Sequence, residues 1–289
     1  MNTLELLKKI RLIEIKTKGL TNQFFKGKYH ASFKGRGMTF SEVRGYQIGD
    51  EVRTIDWNVT ARFNEPYVKV FEEERELIVM LIIDISASNN YGSRSKSKKE
   101  LILELMAVIG FSAVANNDKV GALFISDGVE KFIPPAKGKK HILFALREYI
   151  DFEPKSNGTD LNVGFHYFRN CMKKRSVCFV ISDFLDDGNF EEGLTLLRSY
   201  HDVIALKVSD PAEKEMIDLG LIQFFNAENG TTSWVNTSDI STRNKFKDNA
   251  EFRSLRANSI FKKLGINFEQ ISTTDDYIPK FIHLFRRHK

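Results

Sequence analysis

Three oxygen-bearing side chains, Asp84, Ser86 and Ser88, stand directly after an apolar run over residues 77–83. Such a run is too short to span a membrane and is typical of a strand buried on both faces of a parallel sheet. In open α/β sheets, ligands bind in the crevice beyond the carboxyl ends of the strands. Oxygen donors at that place suit a hard cation, Mg²⁺ first and Mn²⁺ or Ca²⁺ next. The alternative is that these residues only cap a helix or form a turn.

Two other loops carry donors of the same kind. Thr159 lies in the segment Gly158-Thr159-Asp160 just before a predicted helix, and Asp183 ends a buried-strand pattern over residues 176–183. If the strands are parallel, all three loops lie at one edge of the sheet. The sequence therefore predicts one metal site, with these ligands: Asp84, Ser86, Ser88, Thr159 and Asp183.

The elements that must position these donors alternate between strand and helix from residue 77 onward. This alternation predicts a doubly wound, mostly parallel α/β sheet over residues 77–289. A small module over residues 1–76 precedes it, with an amphipathic helix at 2–18 and an exposed lead-in strand at 66–76. Further strands are predicted at 118–125, 131–134, 176–183, 202–208, 221–226, 231–236 and 267–271. Helices are predicted at 96–115, 139–150, 161–172, 190–200, 240–264 and 277–287.

The segment between Arg44 and Arg62 alternates charged and aromatic residues without a clean helical or strand period. Such a segment is ordered only if its charged groups pair and its aromatic rings are covered. One interpretation is an ion-pair network that fastens the N-terminal module to the rest of the chain. The other is a polar recognition surface, formed by Arg44, Arg53, Asp56 and Arg62.

Composition excludes several classes of protein. The 43 basic and 38 acidic residues give a formal charge of +5 over 289 residues, and no basic run is interleaved with aromatics, so nucleic-acid binding is not expected. No apolar run is long enough to span a membrane. The first ten residues mix charges into their apolar positions, unlike a signal peptide. Cys171 and Cys178 have no metal or disulfide spacing, which is typical of the reducing cytoplasm.

Enzymatic motifs are weak in this chain. There is no G-x-S-x-G and no H-E-x-x-H frame. The strongest catalytic alternative is a metal-dependent phosphohydrolase of the haloacid-dehalogenase type, because Asp84 ends a strand and Asp183, Asp186 and Asp187 form an acidic loop. That chemistry needs a second acid two residues after the nucleophile, and Ser86 stands there. We therefore expect a non-catalytic protein.

Residues 77–208 resemble a von Willebrand factor A domain, and the three donor loops match its metal-ion-dependent adhesion site. The chain from about residue 20 onward resembles the bacterial domain-of-unknown-function family fifty-eight. That resemblance is carried by the segment from Gly49 to Arg62, by residues 71–75 and by Asp210-Pro211-Ala212-Glu213. One departure is Asn89 and the two residues after it, which stand where many adhesion sites carry Met.

The resemblance implies a function for the protein and a role for each donor at the site. It implies that the protein has no known catalytic activity and works with a MoxR-type AAA+ ATPase, in systems that mature, assemble or fold other proteins. Ser86, Ser88 and Thr159 would bind the cation through their hydroxyls, and Asp84 and Asp183 mostly through water. Neutral ligands leave charge on the cation, so an acidic residue of the ATPase or of a client protein would complete the coordination.

Overall fold

The computed structural model describes residues 38–73, 76–90, 92, 96–156, 158–186, 188–225 and 231–287. The chain forms two compact units, a small one over Phe33–Leu77 and a large one that contains Ile78–Lys289. The predicted helix at 2–18 lies outside the described residues. The proposed division into modules 1–76 and 77–289 therefore stays a prediction.

The small unit is built on an antiparallel strand pair, β1 (Met38–Gly45) and β2 (Tyr67–Glu73), with helix α1 (Trp57–Phe63) between them in the chain. Asp56 caps α1 by accepting hydrogen bonds from the N–H groups of Asn58 and Val59. The sequence predicted a lead-in strand where β2 lies, but it showed no clean period over the region of β1 and α1 and predicted neither element. The partner of β1 lies more than twenty residues away in sequence, so its pairing leaves no local period.

Charged residues of the small unit pair within that unit. The guanidinium of Arg44 donates two hydrogen bonds of 2.8 Å to the carboxylate of Asp50, and the ammonium of Lys69 lies 3.5 Å from Asp56. The Arg44 pair lowers the pKa of Asp50 below its ordinary value. Arg53 and Arg62 are exposed. Two of the four residues predicted as a recognition surface thus have structural partners inside the unit.

The large unit is organised around a six-stranded sheet. Its strands are β3 (Ile78–Asp84), β4 (Lys119–Ile125), β5 (Val129–Ala136), β6 (Val177–Ser182), β7 (Asp202–Ser209) and β10 (Asn267–Ser272); a separate antiparallel pair comprises β8 (Leu221–Phe225) and β9 (Thr232–Asn236). The order across the sheet is β10-β7-β6-β3-β4-β5. Neighbouring strands are parallel except β5, which is antiparallel to β4. The predicted doubly wound, mostly parallel sheet is confirmed.

Helices cover both faces of this sheet. The helices of this unit are α2 (Lys98–Ala115), α3 (Lys139–Asp151), α4 (Leu161–Cys171), α5 (Phe190–Tyr200), α6 (Ile240–Lys263) and α7 (Tyr277–Arg287). Met80 and Ile82 of β3 belong to a core formed with α4, α5 and the end of α6, whereas Phe124 of β4 packs on Tyr149 of α3. None of the described helices combines the length and apolar character that a membrane crossing requires.

Candidate functional site

Oxygen donors meet at the carboxyl edge of the sheet, between β3 and β6. The hydroxyl oxygens of Ser86 and Ser88 are 3.0 Å apart. The Ser88 hydroxyl donates to Oδ2 of Asp183 at 2.9 Å, across 95 positions of sequence. Three of the five predicted ligands therefore form one continuous hydrogen-bonded chain.

Asp84 lies beneath this chain and is almost completely buried. Its Oδ1 accepts a hydrogen bond from the Ser86 N–H at 2.9 Å, and its Oδ2 accepts one from the Ser182 hydroxyl at 2.7 Å. Burial and, secondly, the charge of Asp183 raise the pKa of Asp84 to about 6, although these hydrogen bonds act to lower it. Asp84 thus orients the Ser86 loop, and a nearby positive charge would favour its ionised form.

The loop that presents Asp183 has an unusual backbone. Phe184 has a φ of 53°, in the left-handed region that bulky residues rarely adopt. Its N–H donates to the Ser182 hydroxyl at 2.9 Å, and its ring packs edge-on against Phe261 at 4.9 Å between centroids. Buried aromatic packing therefore holds this conformation, and with it the direction of the Asp183 carboxylate.

Thr159 lies at the same edge of the sheet as the other donors. The N–H of the next residue, Asp160, donates to the carbonyl oxygen of Ser126, which immediately follows β4. Within the described part of the chain, Thr159 makes no hydrogen bond to the other four predicted ligands. The structure therefore brings four of the five together by direct contact, and the role of all five as metal ligands stays a prediction.

Asp186 joins the two loops. Its Oδ2 accepts a hydrogen bond from the N–H of Leu161, the first residue of α4, at 3.2 Å, and its Oδ1 accepts one from Gly188 at 2.7 Å. The sequence suggested that this acid belonged to a haloacid-dehalogenase-type metal loop. In the fold it caps a helix and ties the Thr159 loop to the Asp183 loop.

A buried lysine is the feature that sequence reasoning missed. Lys98, in the first turn of α2, has no exposed surface. Its ammonium donates to Oδ2 of Asp183 at 2.7 Å and lies 2.5 Å from Oε1 of Glu213. The charges of both carboxylates raise the pKa of Lys98 against the opposing effect of burial. One signal was available: Lys98 is in phase with the buried positions Leu101, Ile102 and Leu105 of its helix.

Glu213 reaches Lys98 because a short turn holds it. The Asp210 side chain accepts a hydrogen bond from Ala212 N–H at 3.0 Å, while Oε2 of Glu213 accepts one from Asp210 N–H at 2.9 Å. This reciprocal capping arrangement starts the 3₁₀ helix Pro211–Glu213. Thr273 donates to the other Asp210 oxygen at 2.7 Å. The Asp-Pro-Ala-Glu segment thus positions a carboxylate for the buried lysine.

These donors fit a small divalent cation. With metal–oxygen distances of about 2.1 Å, adjacent ligands of an octahedral Mg²⁺ are about 3 Å apart, close to the Ser86–Ser88 and Ser88–Asp183 spacings. Asn89 adds a buried side-chain oxygen that has no hydrogen-bond partner among the described residues, while its amide nitrogen contacts Asp84 and Ser86.

The types of side chain at this site determine how a cation would be bound. No group of three or more His, Cys, Asp or Glu side chains in the described residues is arranged to hold a metal, so a cation here would depend on the serine hydroxyls. Asp183 and Glu213 both contact the ammonium of Lys98, whereas the buried Asp84 accepts its hydrogen bonds from Ser86 and Ser182. A divalent cation at the serines would offset the negative charge of an ionised Asp84.

Comparison with known proteins gives a consistent result. The family model described as "Protein of unknown function DUF58" matches residues 42–255. The uncharacterized protein Rv1480 of Mycobacterium tuberculosis (strain ATCC 25618 / H37Rv) is 31% identical over 223 residues, which cover 76% of this chain and 70% of that protein. The uncharacterized protein Mb1516 of Mycobacterium bovis gives the same values.

Solved structures with a similar fold are much more distant in sequence. An aerotolerance-related membrane protein from Bacteroides fragilis NCTC 9343 is 16% identical, with a TM-score of 0.50 over 73% of this chain and 98% of that one. The SpRpn10 VWA domain is 11% identical, with a TM-score of 0.38 over 72% of this chain and 94% of that domain. At 16% identity the likeness to the Bacteroides protein concerns the fold alone.

Proposed function

This chain belongs to the DUF58 family, and from that premise we propose that it is a non-catalytic, metal-dependent protein-interaction module with a von Willebrand factor A-like fold. The observation that carries the proposal is the chain of three oxygens from Ser86 through Ser88 to Asp183, with spacings of 3.0 and 2.9 Å. It lies at the edge of the sheet where α/β proteins bind their ligands.

Each residue of the site would have a distinct role in binding the metal. Ser86, Ser88 and Asp183 hold a Mg²⁺-type cation, with Thr159 as a further candidate, and Asp84 orients the Ser86 loop through its backbone N–H. A bound cation supplies positive charge for a carboxylate of a partner. Because serine hydroxyls are neutral, they leave that charge largely uncompensated.

The proposed partner carries an acidic residue that completes the site. By the family resemblance it is a MoxR-type AAA+ ATPase or a client protein, and the setting is the maturation or assembly of other proteins in the cytoplasm. Free Cys171 and Cys178 are compatible with a reducing compartment. Association would then require both the metal and the partner's Asp or Glu.

Metal binding is tested first, by calorimetric titration of the chelator-treated chain with MgCl₂ and MnCl₂. The variant S86A/S88A removes two neutral donors and should weaken binding at least about tenfold, which corresponds to about 1.4 kcal/mol. Ser199→Ala is the matched control, since that serine is exposed on α5 and bonds only its own helix. Equal metal affinity in wild type and S86A/S88A would contradict the site.

Partner association is tested next, by co-purification from native cells with Mg²⁺ or with EDTA. We expect the ATPase or client to be retained only with the metal, and to be lost from D84A/D183A in both conditions. Circular dichroism of the variant checks that it folds. Undiminished retention by D84A/D183A in EDTA would overturn the interaction mechanism.

The non-catalytic part of the proposal has its own check. A generic phosphate ester is incubated with the chain and Mg²⁺, and phosphate release is measured. We expect none above background. Turnover that disappears in Asp84→Asn would instead support the haloacid-dehalogenase alternative, in which Asp84 is the nucleophile.

A further inference from the structure

A cavity of about 370 Å³ opens beside Asp183, on the face of the sheet that α6 covers. It lies beyond the carboxyl ends of β7 and β10, away from the two serines. Its wall combines cationic and aromatic side chains, and four of these carry the inference: Lys207, Lys214, Phe224 and Phe246.

Lys207 is the central group of the cavity. It is a residue of β7, only 4% of its surface is exposed, and it lines the cavity. Among the described residues its ammonium makes no hydrogen bond and no ion pair. Burial lowers the pKa of Lys207, and the charge of Lys214 lowers it further against the opposing effect of Asp183 and Glu213. A buried ammonium without a partner is costly, and an anion in the cavity would relieve that cost.

The two carboxylates of the wall do not cancel this positive charge. Asp183 and Glu213 are both bound to the ammonium of Lys98, at 2.7 and 2.5 Å. The ion-paired cluster of Asp183, Glu213 and Lys98 therefore already contains its own cation. Lys207 and Lys214 bring further positive charge to the wall of the cavity, which favours an anion there.

The aromatic wall restricts the ligand further. Phe224 comes from β8 and Phe246 from α6, and both rings border the same cavity as Lys207. Phe224 is exposed although it is a large apolar residue. A cavity with a buried cation and aromatic walls matches an anionic group carried on an apolar body.

We propose that this cavity binds a small organic anion, with a phosphate or carboxylate group at Lys207 and an apolar or aromatic body against Phe224 and Phe246. The ligand site is distinct from the serine-lined metal site and does not depend on it. Asp183 borders both, so occupancy of the cavity would alter the surroundings of a metal ligand.

The experiment uses phenyl phosphate as the probe and the full chain in EDTA, so that the metal site takes no part. Calorimetric titration should give a dissociation constant of about 1 mM or tighter for wild type. Lys207→Met, which keeps an unbranched side chain but removes the charge, should weaken binding about tenfold or more. Lys173→Met is the matched control, because Lys173 is exposed after α4 at the opposite edge of the sheet.

Two further probes test the two halves of the proposed ligand. Benzyl alcohol, which has the ring without the charge, and inorganic phosphate, which has the charge without the ring, should both bind at least about tenfold more weakly than phenyl phosphate. Circular dichroism confirms that Lys207→Met is folded. No binding of phenyl phosphate to wild type, or equal binding to Lys207→Met, would overturn the proposal.

Discussion

Oδ2 of Asp183 accepts hydrogen bonds from two directions, from the Lys98 ammonium at 2.7 Å and from the Ser88 hydroxyl at 2.9 Å. One carboxylate oxygen is thus shared between a fixed internal cation and a predicted metal ligand. Lys98 stabilises the site when no metal is present, and it repels a divalent cation that approaches the same oxygen. The lysine should therefore set both the stability of the domain and its metal affinity.

Replacement of Lys98 by Met should expose both effects. Removal of Lys98 leaves the buried Asp183 and the partly buried Glu213 without their cation, so we expect a loss of about 3–5 kcal/mol in the free energy of unfolding in EDTA. Added Mg²⁺ should restore part of the lost stability, because the ammonium that competes with the cation for Asp183 is absent from the variant. Urea unfolding with EDTA and with Mg²⁺ measures both, and Lys262→Met, at an exposed position of α6, is the control. A variant as stable as wild type in EDTA would contradict the role given to Lys98.

The pair Lys98 and Glu213 should behave as a coupled unit. Glu213→Gln keeps an oxygen for the Asp210 N–H but removes the charge next to Lys98, and should cost about 1–3 kcal/mol. In K98M/E213Q neither buried charge of that pair remains. The double variant should therefore be more stable than the sum of the single losses, by about 1 kcal/mol or more. Denaturant unfolding of all four proteins gives the coupling energy, and strict additivity would mean that the two groups do not interact.

The sequence predicted those parts of the site that local patterns specify, and it missed those that depend on contacts between residues far apart in the chain. The apolar runs before Asp84 and Asp183 specify strands locally, so both acids were placed at the correct edge of the sheet. Lys98 was missed because a lysine in the first turn of a helix is ordinarily solvated. Its position on the buried side of the helix is in phase with Leu101 and Ile102, but its partner Asp183 lies 85 positions away, and no local pattern contains that contact.

The same reasoning explains the small unit and the anion cavity. Strand β1 was not predicted because its hydrogen-bond partner is a distant strand. Lys207 was read only as part of a buried strand, since its place at the wall of a cavity depends on α6 and β8. Contacts between distant elements, and not local propensity, created the features that the sequence did not show.

Helix α4, which follows Thr159, packs closely on β4. The absence of a side chain at Gly164 allows this close approach. A Cβ at Gly164 would lie 2.1 Å from Cδ1 of Ile125. Gly164→Ala should therefore destabilise the fold by about 1–3 kcal/mol, although alanine favours the helix. Gly128→Ala, which meets no atom within 4 Å, is the control.

A repair variant makes this steric interpretation specific. Ile125→Ala removes the atoms that the new Cβ would meet, so G164A/I125A should be more stable than the summed effects of the single changes predict. Thermal unfolding of the single and double variants measures the difference. If Gly164→Ala alone is as stable as wild type, α4 does not need this close approach.

Stability should fall in mild acid because of His201. This side chain is buried, its Nδ1 lies 2.9 Å from the Ser176 hydroxyl, and its Nε2 has no hydrogen-bond partner among the described residues. Burial lowers the pKa of His201 to about 4, and the charge of Arg169 contributes. The unfolded chain therefore binds a proton at this residue at higher pH than the folded chain does.

The sign of the effect follows from this difference in pKa. The contribution of His201 is complete above the ordinary histidine pKa of about 6.5 and is lost as the pH falls to about 4, with a total of about 2–3 kcal/mol. His201→Asn should lower stability near neutral pH and flatten the decline between pH values of about 6.5 and 4. Urea unfolding across this range compares wild type with His201→Asn and with the exposed control His166→Asn. An identical slope in wild type and His201→Asn would show that another group causes the acid sensitivity.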